Sequence, residues 1–191
     1  MRLLLLLKSR TAEAHSRLEA GMAVFERVRT REDYRRLLEN FYRLYEPLET
    51  RLSAVHWSEM DFDFSARRKT PALRDDLRSL GATEREIASL PRAAELPALS
   101  SHGAVVGCLY VVEGSTLGGQ IISKQFRSSL GVTPESGGKF FHGYGADTAA
   151  RWREFGAWTE KQNPPQDPVF DEAAARGAQE TFAAFARCLN P

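Results

Sequence analysis

The stretch that decides the fold is SHGAVVGCLYVVEGSTLGGQIISKQFRSSL, residues 101–130. It is typical of one long helix, and Gly131 directly after it favours the conformation found at helix C-termini. Four glycines of this stretch fall within a sector of about 60° on one helix face. They are Gly103, Gly107, Gly114 and Gly118. Each costs about 1 kcal/mol relative to alanine inside a helix, so something must approach the backbone closely on this face.

Two interpretations of this glycine face are open. Tight packing against another helix would use the missing side chains. A flat ligand across the bare backbone would use them equally well and would leave room for a small molecule such as oxygen. Tyr110, Leu117 and Ile121 lie on or beside the glycine stripe. The sequence does not choose between packing and ligand binding.

Helical patterns cover most of the remaining chain, with glycines and prolines between them. Predicted helices span residues 2–21, 71–80, 147–162 and 167/168–189. Further helical starts are the capping-box-like Thr30-x-x-Asp33 and the cap at Thr83-x-x-Glu86. Pro47 should kink the helix that it interrupts, and Asn163-Pro164-Pro165 should end the 147–162 helix. Loops are expected at 61–69, 91–97 and 131–145. The sequence therefore predicts an all-α fold, a single-domain helical bundle over residues 1–191.

The composition of the chain disfavours several classes of protein. Hydrophobic residues make up 42% of the chain and charged residues 27%, and the net charge is +1. This balance gives no reason to expect nucleic acid or an anionic membrane as partner. The two cysteines have no Cys-x-x-Cys spacing, which disfavours a zinc site or a disulfide framework and suits a reducing cytoplasm.

The N-terminal leucines are not expected to form a secretion signal. The run Leu3–Leu7 is short, and Lys8 and Arg10 follow where a cleavage site would need small residues. No stretch is expected to reach the roughly 18 apolar residues of a membrane span. We interpret the leucines as the buried start of the first helix.

The first helix carries a candidate metal ligand. His15 lies in TAEAHSRLE, residues 11–19. Lys8 is two turns earlier on the same face, roughly 10 Å away along the axis. Glu19 is one turn later, where it could accept the second ring N–H and orient the imidazole. A lone helical histidine is more often a surface or core residue, so this spacing alone does not decide its role.

Residues 11–19, together with GCLYVVEGSTLGGQ at 107–120, resemble the haem oxygenase family. The second stretch is most similar to the bacterial branch, which includes enzymes that supply biliverdin to bacteriophytochromes. The resemblance implies haem between the first helix and the glycine-rich distal helix. His15 would be the only protein ligand to iron, Glu19 its hydrogen-bonded neighbour, and Gly114 and Gly118 the distal glycines.

The resemblance also implies further haem contacts. Lys8 corresponds to a propionate-binding lysine, and Arg153, across a variable loop, to a second basic propionate contact. The remaining candidate haem neighbours are Leu18, Tyr110, Val111, Leu117 and Phe182. Ser115 stands where animal members have an aspartate that organises distal water, and we therefore include it among the candidate catalytic residues.

The implied reaction opens the haem ring with oxygen and yields biliverdin, carbon monoxide and ferrous iron. Haem is then both cofactor and substrate. Electrons would come from an external ferredoxin or reductase, since nothing in the chain resembles a flavin, nicotinamide or iron–sulfur site. A bacteriophytochrome is a candidate recipient of the biliverdin. The basic run Arg67-Arg68-Lys69 is expected to be a solvated loop, with docking of an acidic electron donor as its alternative role.

Three other functions compete with this interpretation of the sequence. A di-iron enzyme commonly needs Glu-x-x-His pairs, and the residues three places before the four histidines are Ala12, Ser53, Leu99 and Lys139. A thiaminase-like enzyme would need an activated cysteine, and Cys108 has no charged neighbour. A non-catalytic haem carrier or sensor on the same fold stays open, because its ligand and pocket would look alike.

Overall fold

The computed structural model describes residues 2–163 and 167–189, and these residues contain helices, short 3-10 turns and irregular segments but no β-strand. The helices are α1 (Arg2–Met22), α2 (Val24–Arg27), α3 (Arg31–Ser53), α4 (Thr70–Ser79), α5 (Glu84–Ser89), α6 (His102–Leu130), α7 (Lys139–His142), α8 (Thr148–Lys161) and α9 (Pro168–Leu189). The 3-10 turns are Trp57–Met60, Ser65–Arg67, Pro134–Ser136 and Gly145–Asp147. The predicted all-α class is confirmed.

The helix boundaries follow the expected caps. Thr30 accepts from the Asp33 amide and Thr83 from the Glu86 amide, in complete capping boxes. Ser101 caps α6, and Gly131 ends it in a left-handed conformation at φ 64°. Helix α3 continues through Pro47.

Two elements were not predicted. Helices α2 and α7 have four residues each, which is too short for a periodic apolar pattern. Pro164 and Pro165, which were expected to end the 147–162 helix, lie outside the described residues.

Helix α9 is the common support of α1 and α6, both of which pack mainly on it. The guanidinium of Arg2 pairs with Asp171 near the start of α9, and the ring of His15 contacts that of Phe182 near its end. Helices α1 and α9 therefore run in the same direction. Helix α6 runs the same way, because Gly103 meets Phe170 and Gly107 meets Ala174.

The leucine run is only partly buried. Leu3, Leu4 and Leu7 are in the core, whereas Leu5 is 69% exposed. Residues three and four positions apart share a helix face, and Leu5 falls on the opposite one. The expectation that the whole run is buried is therefore wrong at Leu5.

Helix α6 departs from the expectation that no segment approaches a membrane span. It is the one helix of the described residues that is long and apolar enough to cross a bilayer. Just over half of its most apolar window is buried, because α6 lies in the core against α9, α7 and α8. Burial in the protein interior explains the apolar composition of this helix.

The glycine stripe of α6 divides into two halves. At Gly107 an added Cβ would lie 1.9 Å from the Ala174 carbonyl oxygen, and at Gly103 it would lie 2.7 Å from that of Phe170. On α9, Gly177 shows the same closeness to Ala104, at 2.4 Å from its oxygen. The packing interpretation is correct for this N-terminal half, where only glycine lets the two backbones meet.

We expect Gly107→Ala to lower the free energy of unfolding by about 1–3 kcal/mol or more, since the new methyl group would overlap the α9 backbone. Gly118→Ala is the matched control. No atom lies within 4 Å of the added Cβ there, so it should be neutral or stabilise by up to about 1 kcal/mol. Urea unfolding of the ligand-free protein measures both, and equal effects of the two substitutions would contradict this division of the stripe.

A buried carboxylate holds α7 in place. Asp76 of α4 is fully buried and accepts hydrogen bonds from the backbone amides of Lys139 and Phe140, at 2.9 and 2.7 Å. Burial raises the pKa of Asp76 from 3.8 to about 6, although both amides oppose this shift. The α7 turn in turn packs against α6, with the Phe141 carbonyl oxygen 3.1 Å from the Cβ position of Gly119.

Stability should therefore depend on pH through Asp76. The folded protein holds this proton more tightly than the unfolded chain, so the contribution of Asp76 is fully present below pH 3.8 and is lost as pH rises through about 6. We expect the stability advantage of the parent over Asp76→Asn to shrink by up to about 3 kcal/mol in urea titrations across this range. Asp75→Asn is the control, because Lys139 lowers the pKa of Asp75 and its contribution is instead lost at acid pH. A pH-independent difference for Asp76→Asn would refute the assignment.

Candidate functional site

The C-terminal half of the glycine stripe faces open space. Gly118 is exposed and has no neighbouring atom within 4 Å of its Cβ position. Gly114 is half-buried, and its Cβ position has only the Trp152 ring nearby, at 3.7 Å. Leu117 and Ile121 beside them are 39% and 65% exposed. This part of α6 is therefore an apolar surface with bare backbone that no protein segment in the described residues covers closely.

Helix α1 lies opposite this surface. The Tyr110 hydroxyl lies beside Thr11 of α1. Burial raises the pKa of Tyr110, and the smaller effect of Thr11 opposes this shift. Because α1 and α6 run in the same direction, one further turn along each brings His15 to the level of Gly114. The next turn brings Glu19 to the level of Gly118. The predicted ligand and the predicted distal glycines thus come from facing helices that hardly touch each other.

The surroundings of His15 suit an iron ligand. Its side chain is 55% exposed, and Nε2 lies 3.6 Å from Glu19 Oε1, close to but beyond a hydrogen bond. The Phe182 ring meets the imidazole edge to face, with 5.7 Å between centroids. The imidazole is therefore accessible, and it is supported from α9 and accompanied by the carboxylate expected to orient it.

Two basic side chains near this cleft are available to a ligand. Lys8 of α1 and Arg153 of α8 are exposed, and neither forms an ion pair with any of the described residues. The neighbours of each in sequence are instead paired: Arg10 contacts Glu172, and Arg151 contacts Glu154. Lys8 and Arg153 could therefore bind carboxylates without breaking an existing contact.

Three predicted contacts face the protein interior. Leu18 and Val111 are buried in the hydrophobic core. Ser115 is half-buried, and its hydroxyl donates to the Val112 carbonyl at 2.8 Å. This leaves the hydroxyl of Tyr45, 3.0 Å away, to donate to the Ser115 oxygen.

Sequence reasoning missed Tyr45 of α3. Its side chain is fully buried, and burial raises the pKa of the phenol. A buried tyrosine hydroxyl needs a hydrogen-bond partner, and this requirement is the signal that could have drawn attention to it. Sequence reasoning also missed Trp152, because no pattern in the sequence indicated that this residue contacts Gly114.

The expectation for Arg67-Arg68-Lys69 is wrong for two of its three residues. Arg67 and Lys69 are 7% and 6% exposed, and both bind the buried carboxylate of Glu113, at 2.6 and 2.9 Å. Tyr144 donates to the same carboxylate at 3.0 Å. A buried carboxylate requires such partners, and composition gave no sign that this loop supplies them. Only Arg68 remains exposed.

The rival chemistries have little support in the geometry. Cys108 is fully buried, and burial raises the pKa of its thiol to about 12, so the thiolate needed for nucleophilic attack is disfavoured. Within residues 2–163 and 167–189, no three His, Cys, Asp or Glu side chains converge as metal ligands. A single histidine facing an open backbone surface is instead an arrangement suited to haem, which brings its own four nitrogen ligands.

Comparisons with known proteins agree with this geometry. The family model described as heme oxygenase matches residues 1–190. A protein named "Heme oxygenase" from Xanthomonas campestris pv. campestris (strain 8004) is 35% identical over 156 residues, which cover 82% of this chain and 88% of that protein. The solved heme oxygenase of Leptospira interrogans shares the fold with a TM-score of 0.77 at 18% identity, over 100% of this chain and 99% of that one. The chain belongs to the haem oxygenase family, whose members degrade haem with oxygen.

Proposed function

We propose that residues 1–191 form a single haem-degrading domain in which His15 binds the iron and the haem lies between α1 and the Gly114–Gly118 surface of α6. The observation that carries this proposal is the open backbone at Gly118, on the helix facing the accessible imidazole of His15. A flat ring fits there because no side chain of the described residues fills the space. The exposed Leu117 and Ile121 would lose contact with water when it binds.

Haem supplies the iron that binds oxygen and the ring carbon that is oxidised, and the protein supplies position and electrostatics. His15 in its neutral form offers one ring nitrogen to the iron. Glu19, whose carboxylate lies 3.6 Å from His15 Nε2, is assigned the role of orienting the imidazole through the ring nitrogen that does not bind iron. The edge of Phe182 limits rotation of the same ring.

On the distal side the described residues of this part of α6 offer no free imidazole or carboxylate. Tyr110, Gly114, Leu117 and Gly118 form that surface, and the nearby carboxylate of Glu113 is occupied by its buried partners. A peroxidase uses such a side chain to cleave the O–O bond early. Without such a side chain on this surface of the described α6, the residues present would leave early O–O cleavage unassisted, as oxidation of the haem ring requires. The Ser115 oxygen donates to Val112 and accepts from Tyr45, which leaves one lone pair, and we assign it the role of anchoring a distal water.

The test of this proposal is Gly118→Ala. The methyl group has free space in the ligand-free protein, so the fold should be unaffected. With haem, oxygen and a reductant, the yield of biliverdin should fall several-fold, since the methyl occupies the space needed by oxygen. Gly131→Asn outside the cleft serves as a control, because asparagine tolerates the positive φ of that helix end. An unchanged yield from Gly118→Ala would disprove the distal role, and a parent protein that binds haem without forming bilin would be a carrier.

The role of His15 is tested by His15→Ala. This variant should still take up haem by packing, but its absorbance spectrum should lose the signature of nitrogen ligation, and turnover should become undetectable. Added imidazole should restore part of both, since it can enter the space left by the side chain. Glu13→Ala on the same helix is the control, because its carboxylate pairs with Arg17 in solvent. Parent-like turnover by His15→Ala would show that another group binds the iron.

Lys8 and Arg153 are assigned to the propionates, because both are exposed and unpaired within the described residues. Lys8→Glu and Arg153→Glu should alter the rotation of haem in its plane, and therefore the mixture of biliverdin isomers, more than they alter haem affinity. Chromatography of the products measures the isomers, and haem titration measures the affinity. Arg17→Glu, further along α1, is the control. Parent-like isomer ratios in both variants would remove the two residues from this role.

The electrons are proposed to come from a separate ferredoxin or flavoprotein reductase, and a bacteriophytochrome is proposed as one recipient of biliverdin. We place the protein in the cytoplasm, because Cys108 and Cys188 are both unpaired and buried. Haem and oxygen complete the proposed partners, without nucleic acid or a membrane.

A further inference from the structure

The two open glycines of α6 have different surroundings. The Trp152 ring lies in ordinary van der Waals contact with the Cβ position of Gly114, whereas the Cβ position of Gly118 has no neighbour within 4 Å. The space over Gly114 is thus already occupied by an aromatic ring. Among the described residues, the open part of this face is therefore the space beside Gly118.

Trp152 is held in this position by its neighbours. Its ring centroid lies 6.0 Å from that of Tyr110 and 5.5 Å from that of Phe155, and the Trp158 ring follows at 5.6 Å from Phe155. Phe155 is fully buried and Trp158 nearly so. A ring packed against a buried aromatic cluster resists displacement, so Trp152 forms a fixed wall.

Trp152 acts through the shape of its indole ring and not through a polar group. The two Trp152 atoms nearest to Gly114 are Cη2 and Cζ3, at 3.7 Å each. Both belong to the six-membered ring, on the side away from the indole N–H. The edge presented to Gly114 is therefore apolar, and it offers no hydrogen bond or proton to a bound oxygen.

We propose that Trp152 is a specificity-determining residue that shields one edge of the haem from oxygen. This inference rests on the proposed function, in which haem lies under Gly114 and Gly118. The meso carbon below the indole edge is covered, and oxygen reaches the meso carbon on the Gly118 side. Trp152 thereby selects one biliverdin isomer without changing how the propionates are bound.

The experiment compares Trp152→Phe and Trp152→Ala with the parent. A phenyl ring can keep contact with Tyr110 and Phe155 but is too short to cover Gly114. The parent should form one predominant isomer, and the share of the other isomers should rise several-fold in Trp152→Phe and further in Trp152→Ala. Trp57→Phe is the control, because that indole packs on Phe62 and Phe64, and Gly114 is not among its ring contacts.

A second measurement distinguishes steric shielding of the haem edge by Trp152 from a change in the in-plane rotation of haem. Proton NMR of the ferric haem–cyanide complex reports the in-plane rotation of haem, which should be unchanged in the Trp152 variants and changed in Lys8→Glu. The C–O stretching frequency of the ferrous carbon monoxide complex should shift in the Trp152 variants, because the wall next to the bound ligand is removed. This readout requires haem binding but no turnover.

Three results would overturn the inference. The first is that the parent protein forms a mixture of isomers. The second is that both Trp152 variants give the isomer ratios of the parent. The third is that the isomers change in the Trp152 variants together with the same haem rotation as in Lys8→Glu. Failure of the parent to degrade haem at all would instead overturn the proposed function. Absorbance spectra show that failure before any isomer is analysed, so the two outcomes are distinguishable.

Discussion

The close approach of α6 and α9 is the contact on which the rest of the structure depends. At Gly107 and Gly177 the two backbones come so near that a single methyl group would collide with a carbonyl group. Helix α9 also carries α1, through the ion pair at Arg2 and the ring contact at His15. Since both helices lie on one support and run in the same direction, the separation of His15 from the glycines of α6 is set by α9. The site is thus positioned by a contact outside it.

The buried charges next to Gly114 hold the open half of α6. Glycines weaken a helix, and this half lacks the backbone contact that compensates Gly107. Glu113, one residue earlier, binds Arg67, Lys69 and Tyr144, which join α6 to the segment before α4 and to the segment after α7. Burial lowers the pKa of Lys69, and the charge of Glu113 opposes this shift. Such a pair contributes little net stability relative to apolar packing, but removing either partner would leave an uncompensated buried charge. The arrangement therefore favours one position of α6.

The sequence was informative where local chemistry decides the outcome. The caps at Thr30 and Thr83 gave the starts of their helices, and the spacing of Lys8, His15 and Glu19 gave one accessible face of α1. The sequence was uninformative where the role of a residue depends on which distant part of the chain packs against it. Periodicity placed four glycines on one face but could not show that Gly103 and Gly107 meet α9, whereas Gly114 meets only the Trp152 ring and Gly118 meets open space. Arg67 and Lys69 have the composition of a solvated loop, and only the position of Glu113 accounts for their burial. Trp152 belongs to α8 and contacts Gly114 of α6. Helical periodicity relates residues within one helix, so it could not predict this contact.

The contrast between the two halves of the stripe separates structure from function on energetic grounds. Gly103 and Gly107 cost about 1 kcal/mol each in helix propensity, and the backbone contact that they permit offsets this loss. Gly114 and Gly118 cost the same, yet alanine would fit at both positions in the ligand-free protein. A stability requirement would therefore favour alanine at these two positions. The proposed site accounts for their glycines by a requirement that is absent from the folded chain itself, namely space for a molecule between α6 and His15. The same residue type on the same face thus serves packing in one half and, as we propose, substrate access in the other.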